Sequence, residues 1–445
     1  MTESLEEVSV PLVNIQEEVL VVGGTYDGGI IGLSLKSHLG KKNKQVSSAE
    51  EDADEEKNKG IKGIFNMIFA FKAHLASIKD MDSRGNLLVT ASTDETMRIY
   101  NLKTRCDSGM LTKHQGSVTY VCLSWNSKYL ISCGEDKVVC IWRCANWDPV
   151  KSFDDIHEFT PISADFHPSM KLALTLDIEG NICMLDLLQG TLATKFTVPG
   201  LGKKGANLNR RFGLFTLIKF NVDGSYYAVL SQRELVISSI TDDDDWYLSS
   251  STANLGLGPV QITSFCWITN QIFLVGSSNG QFRMIQITRE RLTELEIIFT
   301  FSNEISNEIK NPHLGNRIKG ICTIGYDHLK YRDPNHYKTY GKLVTCDSSG
   351  IFVLFNFTLN LSEETGKNYC EFEIMDVFDS DNRITCMVIE DRNPKDPLSL
   401  TYQIDPDTQE ENGCLPKTFV KGNKQLKVVK KSKHGSSTKK TNSKQ

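Results

Sequence analysis

The sequence predicts an all-β chain folded as a seven-bladed β-propeller, and three observations carry that prediction. Five segments share one plan of apolar strand, polar turn and second apolar strand. They are "LVTASTDETMRIYNLKT" (Leu88–Thr104), "LISCGEDKVVCIWRC" (Leu130–Cys144), "LALTLDIEGNICMLDLL" (Leu172–Leu188), "IFLVGSSNGQFRMIQI" (Ile272–Ile287) and "LVTCDSSGIFVLFNF" (Leu343–Phe357). Each follows one more apolar strand a short way upstream: "SIKDMDS", "SVTYVCLSW", "PISADF", "QITSFCWI" and "RIKGICTI". Between about residues 75 and 190 the unit recurs roughly every 40 residues, the period of a propeller blade. A sandwich or a pair of β domains is the competing arrangement, and the period is what separates the two.

Taken in order, the chain opens with a hairpin, "EVLVVGGTYDGGIIGLSL", from Glu18, and a third strand, "NMIFAF", comes after a charged insert. Three strands leave this blade one short. Near the other end "NRITCMVIED" (Asn382–Asp391) is a strand without a unit. Placed innermost in the first blade, it closes the ring and removes two open sheet edges. Between these ends lie the five units above and a weaker one, "FTLIKFNVDGSYYAVLSQRELVISSI", with three strands but no turn signature. Counting it gives seven blades; discounting it gives six. The propeller then spans residues 1–393. Residues 38–62 are a polar, acidic insert in blade one with no apolar period, and read as disordered. Residues 394–445, Lys-rich from 417, read as a solvated tail. Two further long interruptions, residues 198–213 and 325–342, exceed ordinary loop length, and such loops are functional or disordered.

Two units carry a repeated set of polar residues. His114 precedes a first strand, Ser132 lies in the second, Asp136 in the turn and Trp142 ends the third. The matching set one unit earlier is His74, Thr90, Asp94 and Tyr100. An Asp in a tight turn accepts from the His and from turn amides. The His meets the strand hydroxyl, which in turn reaches the indole or phenol. A closed chain of this kind satisfies buried polar groups, whereas a half-filled one costs stability. This is the polar network of a WD40 blade. Other units depart from it: Glu179 and Ser349 stand at the Asp position, Leu185 and Phe355 at the Trp position. The literal Trp147-Asp148 dipeptide is out of register.

Charge is unevenly placed. The formal net charge is −5, and the ten lysines from Lys417 onward, unaccompanied by acids, leave −15 on residues 1–416. No run of 18 apolar residues suggests a membrane span. "MTESLEEVSV" is acidic and does not read as a secretory leader. Twelve cysteines sit mostly in apolar runs, as small hydrophobes in a reduced compartment do. Cys140 and Cys144 lack the partners of a zinc site. Nucleophile elbows, phosphate-binding glycine loops and His-Glu metal spacings are missing, so no catalytic residue, cofactor or metal is expected, and the chain reads as a binding protein rather than an enzyme. Candidate partner or RNA contacts are Lys203, Lys204, Arg210 and Arg211 in one basic insertion, and Lys427, Lys430, Lys431 and Lys433 in the tail, where lysines can release counterions from phosphates.

From "ASTDETMRIYNLK" through "LISCGEDKVVCIWRCANW" to "DFHPSMKLALTLDIEGNICMLDLLQG" the chain resembles the PAK-interacting, maintenance-of-killer type of eukaryotic WD40 protein. The resemblance is strong from about Phe71 to Gly190 and fainter beyond. It implies a nucleolar, non-enzymatic assembly factor for the large (60S) ribosomal subunit that acts in rRNA processing among pre-60S proteins. It also implies, for some members, regulation of a PAK-type kinase.

Overall fold

Strand alternation in the sequence becomes strand pairing in the computed structural model, which describes residues 19–35, 64–201, 212–240, 247–287, 295–301, 304–306, 309–327, 336–362 and 369–390. The first hairpin is β1 (Val19–Thr25) and β2 (Gly29–Leu35), with β3 (Phe65–Lys72) on its outer side. Blade two holds β4 (Ile78–Arg84), β5 (Leu87–Ser92), β6 (Met97–Asn101) and β7 (Cys106–Leu111). Blade three holds β8 (Val118–Leu123), β9 (Tyr129–Gly134), β10 (Val139–Arg143) and β11 (Asp148–Phe153). Blade four holds β12 (Pro161–Phe166), β13 (Leu172–Asp177), β14 (Asn181–Asp186) and β15 (Thr191–Thr197). Blade five holds β16 (Phe215–Phe220), β17 (Tyr226–Ser231), β18 (Glu234–Ser239) and β19 (Tyr247–Ser251). Blade six holds β20 (Ile262–Trp267), β21 (Ile272–Ser277), β22 (Phe282–Ile287) and β23 (Leu295–Phe301). A two-stranded ribbon, β24 (Glu304–Ser306) and β25 (Ile309–Lys310), precedes blade seven, which holds β26 (Ile318–Asp327), β27 (His336–Asp347), β28 (Ile351–Ser362) and β29 (Tyr369–Asp379).

The last strand, β30 (Ile384–Glu390), pairs antiparallel with β1, with Leu20 opposite Glu390 and Val22 opposite Val388. The first sheet therefore has the order β3-β2-β1-β30, and the orphan strand takes the innermost place expected of it. Blade five is a complete blade of four strands, so the count is seven. Its missing turn signature has a local cause. Only Gln232 and Arg233 separate β17 from β18, and Ser231 Oγ closes this turn, accepting from the Glu234 amide at 2.9 Å.

The core lies between blades, not within them. Seven apolar clusters fill the seven interfaces between neighbours. In the first, Leu20, Val22, Ile30, Cys386 and Val388 of blade one meet Ile78, Met81, Leu88 and Tyr100 of blade two. In the last, Phe352, Leu354 and Val344 of blade seven meet Val21, Leu33, Ile384 and Met387 of blade one. The second and third strands of a blade bury both faces and so read as nearly continuous apolar runs, whereas the outermost strands, such as β7 and β11, are mostly exposed.

Every blade carries a register shift at its innermost pair, as between Ile78 and Asp80, Val118 and Tyr120, or Ile262 and Ser264. A bulge of this kind sharpens the local twist. In four blades the extra residue is a threonine whose hydroxyl donates to a carbonyl of the second strand: Thr119 to Cys133, Thr216 to Leu230, Thr263 to Gly276 and Thr385 to Gly24.

The described residues of the interruption expected over residues 325–342, namely 325–327 and 336–342, are strand. β26 runs on to Asp327 and β27 begins at His336, with Tyr340 opposite Asp327 and Lys342 opposite Ile324. Pairing of β27 with β28 along this whole stretch lengthens the hairpin beyond the apolar run by which sequence periodicity marks a strand. Of the insertion at 198–213, Phe212 belongs to the core and stacks on Phe215 with ring centroids 5.6 Å apart. The acidic insert (38–62) and the tail (394–445) lie outside the described residues.

Candidate functional site

Antiparallel blades put their connections alternately on two faces. One face carries the turns between second and third strands together with the loops that enter each blade. The other carries the remaining turns and the ends of β1, β2, β3 and β30 that lead away from the ring. The polar networks stand under the first face.

In blade three the network is the closed chain its sequence predicts. Trp142 Nε1 donates to Ser132 Oγ at 2.9 Å, Ser132 Oγ lies 2.8 Å from His114 Nε2, and His114 Nδ1 lies 3.0 Å from Asp136. Asp136 also accepts from the Gln115 amide at 3.0 Å and the Val138 amide at 3.1 Å. It thereby fixes both the entering loop and the turn. Asp136→Ala orphans the buried imidazole and two amides and is expected to cost about 1–3 kcal/mol; an unchanged melting temperature would contradict the assigned register.

Blade two repeats the first three members. His74 Nδ1 lies 3.0 Å from Asp94 and His74 Nε2 2.8 Å from Thr90 Oγ1. Burial lowers the proton affinity of the His74 imidazole despite the carboxylate beside it. For Asp94, burial acts upward, but hydrogen bonds from Thr96 and the Leu75 amide hold its carboxyl below the ordinary range. Tyr100 does not close this chain as expected. Its ring packs edge-on against Phe71 with centroids 5.4 Å apart, and its hydroxyl interacts with Arg98. A phenol places its polar atom at the far tip of the ring, whereas an indole carries its N–H on the side, within reach of the strand hydroxyl.

Blades four and seven contain the network too, with the carboxylate in a different place. His157 meets Thr175 at 2.8 Å and Asp177 at 3.4 Å; His313 meets Thr345 at 2.7 Å and Asp347 at 2.9 Å. Asp177 and Asp347 end the second strand, two residues before Glu179 and Ser349, the positions expected to carry this role. In strand register they stand where blade two has Ser92. From there each reaches the His from beneath the turn with a fully buried side chain. Exposed Glu179 contributes only its amide, which donates to Asp177 at 3.0 Å. Ser349 is auxiliary, donating to Asp347 at 2.6 Å. At the Trp position, Leu185 and Phe355 are core residues. Blade six replaces the histidine altogether: buried Arg283 donates to the Gly256 carbonyl at 2.8 Å and so ties down the loop entering its blade. The turn of the same blade needs glycine at position 280. Its φ is +83°, and a Cβ there would lie 1.9 Å from the His313 carbonyl oxygen of the next blade's loop.

The channel wall is a second polar system, one the sequence reading missed. Innermost strands of adjacent blades are clamped by side chains that accept from the neighbour's amides. Asp80 accepts from Val121 at 3.1 Å and Asp82 from Leu123 at 2.6 Å; Ser163 accepts from Ile218 at 3.1 Å and Asp165 from Phe220 at 2.8 Å. Lys219 Nζ lies 3.7 Å from Asp165 and 5.5 Å from the Tyr120 ring centroid. The signal available was the pair of acids in "IKDMDS", polar residues within a strand that should otherwise be apolar.

Burial pushes the Asp80 carboxyl up to about 7, against the opposing pull of the Val121 amide and Lys219. Native Asp80 thus keeps a proton that the unfolded chain releases near pH 4. Its stabilisation is complete below that range and is lost as pH rises through about 7. Asp80→Asn retains an acceptor oxygen for Val121 and has no proton to lose. Its melting temperature is expected to gain on the wild type as pH is raised through the neutral range, and a difference that stays flat would remove this account.

On the face above the networks, five large apolar side chains stand in solvent at related positions. Leu75 and Leu314 directly follow His74 and His313, Phe159 and Leu214 lie in entering loops, and Tyr26 tops the first hairpin under the Arg383 guanidinium. In the turns of the opposite face, Leu188 is the one exposed large apolar residue among those described. The basic candidates Lys203, Lys204, Arg210, Arg211, Lys427, Lys430, Lys431 and Lys433 all lie outside the described residues.

Similar proteins agree with this architecture. The family model "WD domain, G-beta repeat" matches residues 65–101 and 106–143, the outer strand of blade one through blade three. The chain is 25% identical over 324 residues to a p21-activated protein kinase-interacting protein 1-like of Gallus gallus, covering 72% of each chain. It is 30% identical over 171 residues to Protein MAK11 of Saccharomyces cerevisiae, covering 35% of this chain and 38% of that one. Among solved structures, the RRP9 WD40 repeats superpose with a TM-score of 0.51 at 11% identity, over 71% of this chain and 84% of that one, a likeness of fold alone. Seven closed blades, the His–hydroxyl–Asp networks and the matched repeats make the chain a WD40-type propeller, similar in sequence to the PAK-interacting protein 1-like and MAK11 proteins.

Proposed function

We propose that this protein is a non-enzymatic scaffold for assembly of the large ribosomal subunit and processing of its rRNA, acting in the nucleus and nucleolus. The observation that carries the reading is the ring of Tyr26, Leu75, Phe159, Leu214 and Leu314 on one face of a rigid wheel. Apolar side chains held out by the loops of one face gain from being desolvated against a protein partner. The networks beneath hold their loops in place, so little ordering is needed on binding. The resemblance of the stretch from about Phe71 to Gly190 to the PAK-interacting, maintenance-of-killer type, which implies pre-60S proteins and assembly factors as partners, supports this reading. Depletion is expected to lower free 60S particles and delay large-subunit rRNA processing; normal ribosome profiles would overturn the reading. Leu75→Asp with Leu314→Asp is expected to reduce co-sedimentation with pre-60S particles while leaving thermal stability unchanged.

The tail supports an rRNA or targeting role. Replacing Lys427, Lys430, Lys431 and Lys433 by Gln is expected to weaken nuclear retention or RNA association without altering the melting temperature.

A second reading, an adaptor that binds and restrains a PAK-type kinase, is favoured by the similarity to the p21-activated protein kinase-interacting protein 1-like of Gallus gallus. It requires a purified kinase regulatory region to bind the ring, and no binding would remove it.

A further inference from the structure

The face opposite the networks holds a cavity of about 350 Å³ between blades two and three, lined by Leu87, Ser127, Lys128, Tyr129, Arg143, Cys144 and Ala145. Its walls come from the start of β5, the turn into β9 and the end of β10. The Cys144 amide donates to the Lys128 carbonyl at 2.9 Å, so the two sides of the blade-three wall are held together. Leu87, Tyr129 and Cys144 make the interior apolar, while the exposed side chains of Lys128 and Arg143 stand at its mouth.

The surroundings are basic on a chain whose body is acidic. The turns of this face in blades two to four, residues 84–87, 101–106, 124–129, 143–148, 167–172 and 186–190, contain six Lys or Arg and two Asp. Both acids are engaged locally. Asp148 accepts from the Asn146 side chain, and Asp186 caps its turn by accepting from the Leu188 and Gln189 amides. Lys103, Arg105, Lys128, Arg143 and Lys171 make no ion pair within 4.0 Å among the described residues. Arg84 stacks over Trp125 with its guanidinium 4.4 Å from the ring centroid.

We infer that this cavity is a docking site for an acidic peptide segment of a partner protein, one apolar side chain entering between Leu87 and Ala145 and flanking carboxylates meeting Lys128 and Arg143. Charge selects the flanks, because unpaired cations in a field of net positive turns favour carboxylates and speed encounter. The walls select the anchor, because an apolar recess ringed by polar groups gains most from one desolvated side chain. Nucleic acid fits less well. Single-stranded binding uses exposed rings on which bases stack, and no aromatic side chain in these turns is exposed. The site lies on the opposite face from the apolar ring and does not depend on the ribosomal reading.

The test uses the full chain and a fluorescent peptide of about ten residues, one Phe flanked by Glu. Saturable binding is expected, weakened about tenfold by Lys128→Glu with Arg143→Glu and about fivefold when the peptide Phe becomes Ser. Ala145→Trp fills the recess without touching charge, and is expected to weaken the Phe peptide but not the Ser peptide. All three positions are exposed, so unchanged melting curves confirm intact folding. Absence of binding, or affinity indifferent to these changes, overturns the site. A polyuridine oligomer that binds and is lost with the same charge reversals, while the peptide does not bind, overturns the peptide and assigns the patch to nucleic acid.

Discussion

A chain lacking Ile384–Glu390 is expected to lose cooperative unfolding and to leave solution as aggregates. β30 contributes to two interfaces at once: Ile384 and Met387 pack toward blade seven, Cys386 and Val388 toward blade two. At ~1.5–3 kcal/mol for each large apolar side chain buried, the strand accounts for about 5–10 kcal/mol. That is comparable with the whole stability margin of an ordinary domain, about 5–15 kcal/mol. The loss does not stop at the strand. Without it β1 presents an open inner edge of Leu20, Val21 and Val22, a template for pairing with another chain. Scanning calorimetry and size-exclusion chromatography read the outcome, and a synthetic peptide of residues 382–391 is expected to restore a sharp transition. A truncated protein that melts cooperatively as a monomer would refute the closure.

The second large effect is at Asp347. Its carboxylate is fully buried, accepting from the amides of Ser349, Gly350 and Ile351 at 2.8, 3.1 and 3.2 Å, from Ser349 Oγ, and from His313. Asp347→Ala leaves all of these donors in place with nothing to accept from them. A loss of about 3–5 kcal/mol is expected, the range for breaking a buried polar pair from one side. Glu179→Ala, at the position a turn-based reading would favour, is expected to change stability by under about 0.5 kcal/mol, as exposed sites do. Equal effects from the two would reverse the assignment of the carboxylate. Burial acts upward on the Asp347 carboxyl, but His313 and Ser349 lower it on balance. Its contribution is therefore complete above the unfolded carboxylate range and lost as pH falls through the lowered native value, so acid unfolding should be blunted in Asp347→Asn.

The ring itself was legible because its evidence is redundant: a period, a pattern of paired apolar runs and an orphan strand at the far end all demand the same closure. Blades two and three were legible for a different reason. Asp94 and Asp136 sit in the turn, where a carboxylate is conspicuous between two apolar strands. In blades four and seven the same work falls to Asp177 and Asp347, the final residues of a strand, where an acid reads as the beginning of a turn. His157 and His313 lie 20 and 34 residues ahead of them, and only the pairing register shows that each meets its Asp. Threonine two residues before each acid, Thr175 and Thr345, was the available signal. The channel clamps were illegible for a similar reason. Asp80 and Asp82 satisfy amides some 40 residues away in the neighbouring blade, and such a partner cannot be read from local pattern.

The innermost position of β30 also fixes the order of events during vectorial synthesis. Sheets two to six can be finished while the polypeptide is still growing, but the opening sheet waits for a partner made more than 350 residues after its first strand. Until β30 is made, the nascent chain carries an uncapped first sheet at one end and, at its growing end, whichever sheet was last completed without its next neighbour. Cells making this protein must shield those surfaces until the terminal seam is sewn, so demand for chaperones should peak late in translation.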